Sequence, residues 1–320
     1  MKHQHRLELS AIIVVGDLRQ RGQRVLDQLL RQTAINRMEI IVVDLAEPSK
    51  PELNRPEDQP IRYRRESPQM PLQEARILGF RIAQGEVVAF IEDHCYPSLH
   101  WAEALLDAHR AGEWVMVNYV FHCANPENYF AYAEFLTDYG IFSAPIKAGL
   151  TTLTASLNIS YKRPFLVDYE REIGQLPFPD FILQEYCNQQ GLLMYQDDRA
   201  EVTHENFENL WEMLKCHFFA HNILAVNRVK QKQLSELKRV GYCIGVMTLA
   251  PALRLWRLFS GFRNRPDLQW KSLLALPPIL IDVVVCALGE AIGYIHKFLI
   301  AEHALNRYDL NAPRAKVNNQ

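Results

Sequence analysis

Apolar residues follow two rhythms along this chain. Unbroken runs at Leu9–Val15 (LSAIIVV), Glu39–Val43 (EIIVV) and Val87–Tyr96 (VVAFIEDHCY) alternate with segments of helical spacing, such as Val25, Leu26, Leu29 and Leu30 within Arg24–Gln32. An unbroken run predicts a strand buried on both faces, as in parallel sheets, and the helical spacing predicts an amphipathic crossover. Strand, helix and strand in close succession make a right-handed βαβ unit. The same reading predicts helices over Leu72–Ala83, Trp101–Arg110 and Phe181–Gln190. It predicts strands over Trp114–Phe121, Thr151–Ser160, Leu192–Tyr195 and Asp197–His204, with an edge strand at Ile61–Tyr63 inside the proline- and charge-rich connection 45–70. The stretch before Tyr139, polar and aromatic, carries no clear period. The expected fold is α/β, a Rossmann-like doubly wound and mostly parallel sheet.

A different regime begins near Arg228. From Arg228 to Lys271 ten basic residues face two acids, Glu236 and Asp267, and Trp256, Phe259, Phe262 and Trp270 are interleaved with them. Leu273–Ile300 is then apolar for 28 residues except for Asp282, Glu290, His296 and Lys297. At 100° per residue, Asp282, Cys286, Glu290, Gly293, His296 and Lys297 share one stripe of a helix. Buried acids oppose a simple lipid-exposed span, so the helix is expected to lie in the membrane plane or to pack on the domain. The division expected from sequence is therefore a catalytic domain over 1–227 and a helical, basic then apolar extension over 228–320. An anionic membrane surface is a candidate partner of the extension, and an ordinary helical subdomain with a solvated basic face is the alternative.

Composition narrows the function. A net charge of −2 gives no sign of nucleic-acid binding. Six cysteines without CxxC spacing fit reduced thiols in a cytoplasmic compartment, and no signal-type apolar region follows MKHQHRLELS. The sequence after the first run, GDLRQRG, is not the GxGxxG of a dinucleotide site, which ranks a dehydrogenase low.

The most informative position is the end of the third run, where Glu92, Asp93 and His94 follow apolar residues abruptly. Ligands of open α/β sheets bind outside the carboxyl ends of the strands, so acids and an imidazole there suit a metal or a cationic group. Around it stand LSAIIVVGDLRQRGQRVLDQLLRQ, MEIIVVD, EARILGFRIAQGEVVAFIEDHCYPSLHWAEALLDAH, LNISYKR, PDFILQEYCNQQG and AEVTHEN. In this order the segments resemble the family 2 glycosyltransferases of GT-A fold, from Leu9 to about Asn206. The resemblance implies a metal-dependent transferase of nucleotide sugars, a hexosyltransferase, acting with inversion on a hydroxyl acceptor in a glycan, lipid-linked or polysaccharide precursor. A catalytically silent nucleotide-sugar or membrane-surface binding module with a degenerate DxD site is the alternative. No QxxRW-like segment follows, which implies one transfer per encounter rather than polymer extrusion.

Site roles come from the same resemblance. Asp44 would accept from the nucleotide base, with Asp17 a second nucleotide contact and Arg76 on the donor phosphates. Glu92, Asp93 and Asn158 would belong to the donor site. In the DxD motif His94 replaces the last Asp, so the implied metal ligands are His94, Asp93 and His204, holding Mn²⁺ or Mg²⁺; imidazole favours the former. Asp180 would be the general base, although Pro179 stands where the family carries Glu. Each has a plainer alternative: Asp44 and Asp17 as turn formers, Arg76 as a surface residue, His204 as a structural imidazole, Asp180 as a helix N-cap. The expected location is cytoplasmic, peripheral on the inner face of the cell membrane.

Overall fold

The computed structural model describes residues 7–174, 180–296 and 302–314; Pro179, Lys297 and the end of the apolar run at 298–300 lie outside them. In chain order the first elements are β1 (Leu9–Val15), α1 (Arg19–Leu30), β2 (Met38–Asp44), β3 (Ile61–Arg65), α2 (Leu72–Ile82), β4 (Val87–Glu92) and β5 (Cys95–Pro97). Next come α3 (Trp101–Arg110), β6 (Met116–Cys123), α4 (Tyr129–Asp138), β7 (Gly149–Thr151), β8 (Ile159–Lys162), α5 (Arg163–Ile173), α6 (Phe181–Gln190) and β9 (Met194–His204). The remaining helices are α7 (Leu210–Gln231), α8 (Glu236–Thr248), α9 (Ala250–Gly261), α10 (Pro266–Leu274), α11 (Leu276–Ile295) and α12 (Glu302–Asp309). They form two compact units, Met1–His122 with Phe142–His204, and Cys123–Ile141 with Glu205–Gln320.

The first unit is built on one sheet of order β3-β2-β1-β4-β8-β6-β9-β5, with β7 on β9. Strands β3, β2, β1 and β4 are parallel, and antiparallel pairings take over from β8 onward. Every residue of β1 and β2 is buried, which is why both read as unbroken Ile/Val runs. Helix α1 covers the sheet with Val25, Leu26 and Leu29. The register then positions the site. Val15 pairs with Asp44 and Val14 with Glu92, so the polar ends of β2 and β4 meet at one sheet edge. Phe90 opposite Ile159 sets Asn158 beside Glu92, and Cys95 opposite His204 sets His204 beside His94.

Several boundaries differ from the sequence reading. Helix α1 starts at Arg19 rather than Arg24, because its polar first turn shows no apolar period. The run Val87–Tyr96 is two strands, with Asp93 and His94 in the turn between β4 and β5. Thr151–Ser160 is not continuous: β7 and β8 flank an irregular segment where Leu157 adopts a left-handed φ of 70°. Leu192–Tyr195 and Asp197–His204 merge into β9. The aromatic stretch before Tyr139 contains α4, whose N-terminus is capped by the Asn128 side chain accepting from Phe130 N–H and Ala131 N–H. This helix belongs to the compact unit of Cys123–Ile141 with Glu205–Gln320.

In the second unit α11 packs along α7 and against α8 and α9. Of the small and polar stripe read from sequence, Asp282, Cys286, Glu290 and Gly293 face inward, while His296 is exposed. A Cβ at Gly289 would lie 2.4 Å from the Phe218 carbonyl oxygen, and one at Gly293 would lie 2.6 Å from that of Asn222, so glycine permits the close approach to α7. Asp282 Oδ1 lies 2.7 Å from His217 Nδ1, and Glu290 Oε1 lies 3.0 Å from His221 Nδ1. Among the described residues α11 is the one helix long and apolar enough to cross a membrane, with 61% of its apolar window buried within the protein.

Candidate functional site

Three groups predicted from sequence converge where β4 ends. His204 Nε2 lies 3.3 Å from Glu92 Oε2, and His94 Nε2 lies 3.6 Å from the same oxygen. The two imidazoles meet edge to face, 4.8 Å between ring centres. One ligand atom from each of Glu92, His94 and His204 falls within 4.8 Å of the others, a spacing that suits a shared cation. Asp93 lies outside this trio. Its carboxylate accepts from Arg21, at 2.8 Å to Oδ1, and faces His94 Nδ1 at 3.0 Å. An acid on Nδ1 holds an imidazole in the tautomer that directs Nε2 to a metal, the usual outer partner of a histidine ligand. Asn158 orients the remaining member: its Oδ1 accepts from Glu92 N–H at 2.9 Å, and its Nδ2 donates to Glu92 Oε2.

This donor set fits a divalent transition ion. Two imidazole nitrogens and a carboxylate oxygen suit a transition ion better than Mg²⁺, which prefers oxygen.

Asp180 and Arg76 meet across the sheet edge. Asp180 is fully buried and stands at the N-cap of α6, yet its side chain caps nothing. Instead Oδ2 accepts from Leu157 N–H at 2.7 Å, and Oδ1 accepts from the Tyr161 hydroxyl. Burial, with the Asp180 carboxylate beside it, keeps that phenol protonated far above its usual range, so it stays a donor. Arg76, buried and lying 4.5 Å above the Phe90 ring, reaches both Asp180 oxygens at 3.3–3.4 Å and donates to the Leu157 carbonyl at 3.2 Å. These contacts to Asp180 are long for a guanidinium–carboxylate pair, for which about 2.7–2.9 Å is usual. Leu157, in its left-handed conformation, is thus gripped at both its N–H and its C=O, one residue before Asn158.

The end of β2 carries a third cluster. Asp44 is fully buried and accepts two bonds of 2.9 Å from the Arg19 fork, one of 3.0 Å from Ala46 N–H and one from the Tyr63 hydroxyl. Asp17 bridges the two strand ends by accepting from Glu47 N–H at 2.8 Å. Arg19, Arg21, Tyr63, Leu157 and Tyr161 were not singled out in the sequence. All are ordinary residue types inside helices, strands or loops, and only the fold gives them a partner.

Comparison with known proteins bears on this geometry. The model of the family described as Glycosyl transferase family 2 matches residues 11–172, half of the chain. The chain belongs to glycosyl transferase family 2. The matched stretch contains Asp17, Asp44, Arg76, Glu92, Asp93, His94 and Asn158, while Asp180 and His204 lie beyond it. Among curated proteins none matches the chain. A solved structure similar to it is that of GalNAc-T7 with UDP, GalNAc and Mn²⁺, at 13% identity and a TM-score of 0.45, covering 63% of this chain. The chain spans 44% of that protein's length.

Proposed function

We propose that this family 2 chain is an inverting glycosyltransferase, moving a hexose from a nucleotide-sugar donor to a hydroxyl of a glycan, lipid-linked or polysaccharide precursor. The observation that carries the reading is the gathering of Glu92, His94 and His204 where β4 ends, within 4.8 Å of one another. In this reading those three would hold a divalent cation, Mn²⁺ in preference to Mg²⁺ because two of the donors are imidazoles, with Asp93 behind His94. When bound, the cation supplies Lewis-acid neutralisation of the charge that builds on the departing nucleoside diphosphate. Asp17 and Asp44 serve the nucleotide end of the donor, and Arg76 its diphosphate.

Asp180 is the proposed general base, and its surroundings give it a gate. The long contacts from Arg76 at 3.3–3.4 Å are the weakest of those on its carboxylate. A diphosphate that draws Arg76 away exposes a lone pair of Asp180 to the acceptor hydroxyl. That hydroxyl attacks the anomeric carbon from the face opposite the diphosphate; its proton passes to Asp180 as the bond to the leaving oxygen breaks, and the configuration inverts. The enclosure of Asp180 is the observation that favours a silent donor-binding module instead. Asp180→Asn separates the two. It abolishes donor turnover while donor affinity stays within about twofold if Asp180 is the base, and turnover at the wild-type rate overturns the assignment. We place the protein in the cytoplasm, peripheral on the inner face of the cell membrane; six free cysteines support a reducing compartment.

A further inference from the structure

Helix α11 is built inside out. Its acids Asp282 and Glu290 are buried against α7, while Leu280, Ile281, Val284, Leu288, Ile292 and Ile295, spaced for one helix face, are exposed. The same inversion runs through the helices around it. On α8 the exposed residues include Leu237 (83%), Val240, Ile244 and Met247, at helical spacing and uncharged. Next come Leu249, Leu253 and Trp256 on and before α9, then Trp270, Leu273 and Leu274 on α10. Helix α11 packs against α8, α9 and α10, so these faces belong to one neighbourhood of the helical unit. Soluble monomers seldom expose contiguous apolar patches beyond a few hundred Å², so an apolar surface of this kind marks a docking site.

Charge and aromatic placement identify the occupant. Exposed basic residues over and beside these helices are Lys230, Lys232, Lys238, Arg257, Arg263 and Lys271, against the exposed acids Glu236 and Asp267. The whole chain, by contrast, carries −2. Trp256 and Trp270, 67% and 63% exposed, are each followed directly by a basic residue, Arg257 and Lys271. Exposed indoles with cations beside them, on helix faces that are otherwise apolar, match the aromatic belt and basic residues of a lipid interface. We infer that the helical unit docks in the plane of an anionic lipid leaflet through the outward apolar faces of α8–α11. Burial of the α11 stripe against α7 favours a helical unit lying in the leaflet plane over a lone span exposed to lipid all round. Asp282 and Glu290 are committed to His217 and His221 of α7, so lipid reaches only the opposite face.

This inference specifies the surface for the peripheral placement proposed above, but it rests on the exposed helix faces and not on glycosyl transfer. The two can therefore fail separately. The test is sedimentation of the full chain with vesicles of phosphatidylcholine alone or with about one third phosphatidylglycerol. The chain should pellet with the anionic vesicles, release several-fold at about 0.5 M salt, and show tryptophan quenching by brominated lipid. Trp256→Ser with Trp270→Ser should lower the bound fraction by at least about tenfold without altering the circular dichroism. A wild-type chain that stays in the supernatant with both vesicles and shows no quenching overturns the inference. So does a discrete dimer in light scattering that Val284→Lys dissociates while vesicles recover nothing, since a second copy would then cover the face.

Discussion

Among single residues, Arg21 and Asp93 show most clearly how the site is held. Both side chains are nearly or fully enclosed, at 6% and 0% exposure, so removing either one breaks a buried ion pair. Breaking such a pair costs about 3–5 kcal/mol. Arg21→Met should lower the urea-unfolding free energy by that amount, and adding Asp93→Asn should restore part of it; a loss below about 1 kcal/mol would mean the pair is not structural. The sequence pointed to most of the acids and imidazoles at the site, because a strand that ends abruptly in polar residues is visible in one dimension. It could not pair them. Arg76 and Asp180 are 104 residues apart, and Arg21 and Asp93 are 72 apart, so their partnerships exist only once β1, β4 and β8 are aligned. Glu92 stands within 4.8 Å of the two imidazoles, while Asp93, in the turn after β4, faces Arg21.

Elements that bury both faces or one clean stripe were the legible ones. Strands β1 and β2 and helices α2, α3 and α6 lie within a residue or two of the reading, since their apolar periods are uninterrupted. Helix α4 was missed although Asn128 caps it, because Tyr129, Phe130, Tyr132 and Phe135 blur its apolar face. Asp282, Cys286, Glu290 and Gly293 of the α11 stripe share a buried face, and α7 supplies the reason. Burial opposes the charge of His221, but Cys286 and Glu290 outweigh it and raise the imidazole from 6.5 to about 9. Glu290 is opposed by burial too, yet His221, Arg254 and Arg228 hold its carboxyl below the usual range. A histidine raised on folding contributes stability that is fully present below about 6.5 and is lost as pH rises through about 9. The melting temperature of the wild-type chain should therefore fall across that window. His221→Gln should flatten the decline, and an unchanged slope in the variant would remove His221 as its cause.

At the scale of the molecule, two chemistries are segregated. Buried carboxylates, imidazoles and guanidinium groups gather where the parallel strands end in the first unit, and exposed apolar and basic residues gather on the helices of the second. The family assignment and the sheet account for the first, and the proposed lipid docking would account for the second. Whether Glu92, His94 and His204 form a cation site serving the donor is read by calorimetric titration of Mn²⁺ into the full chain, without any assay of transfer. One site per chain is expected, tightened by a nucleoside diphosphate and weakened at least about tenfold in His94→Ala and in His204→Ala, the loss that disturbing even an outer partner of a ligand produces. Equal Mn²⁺ affinity in wild type and both variants would contradict it.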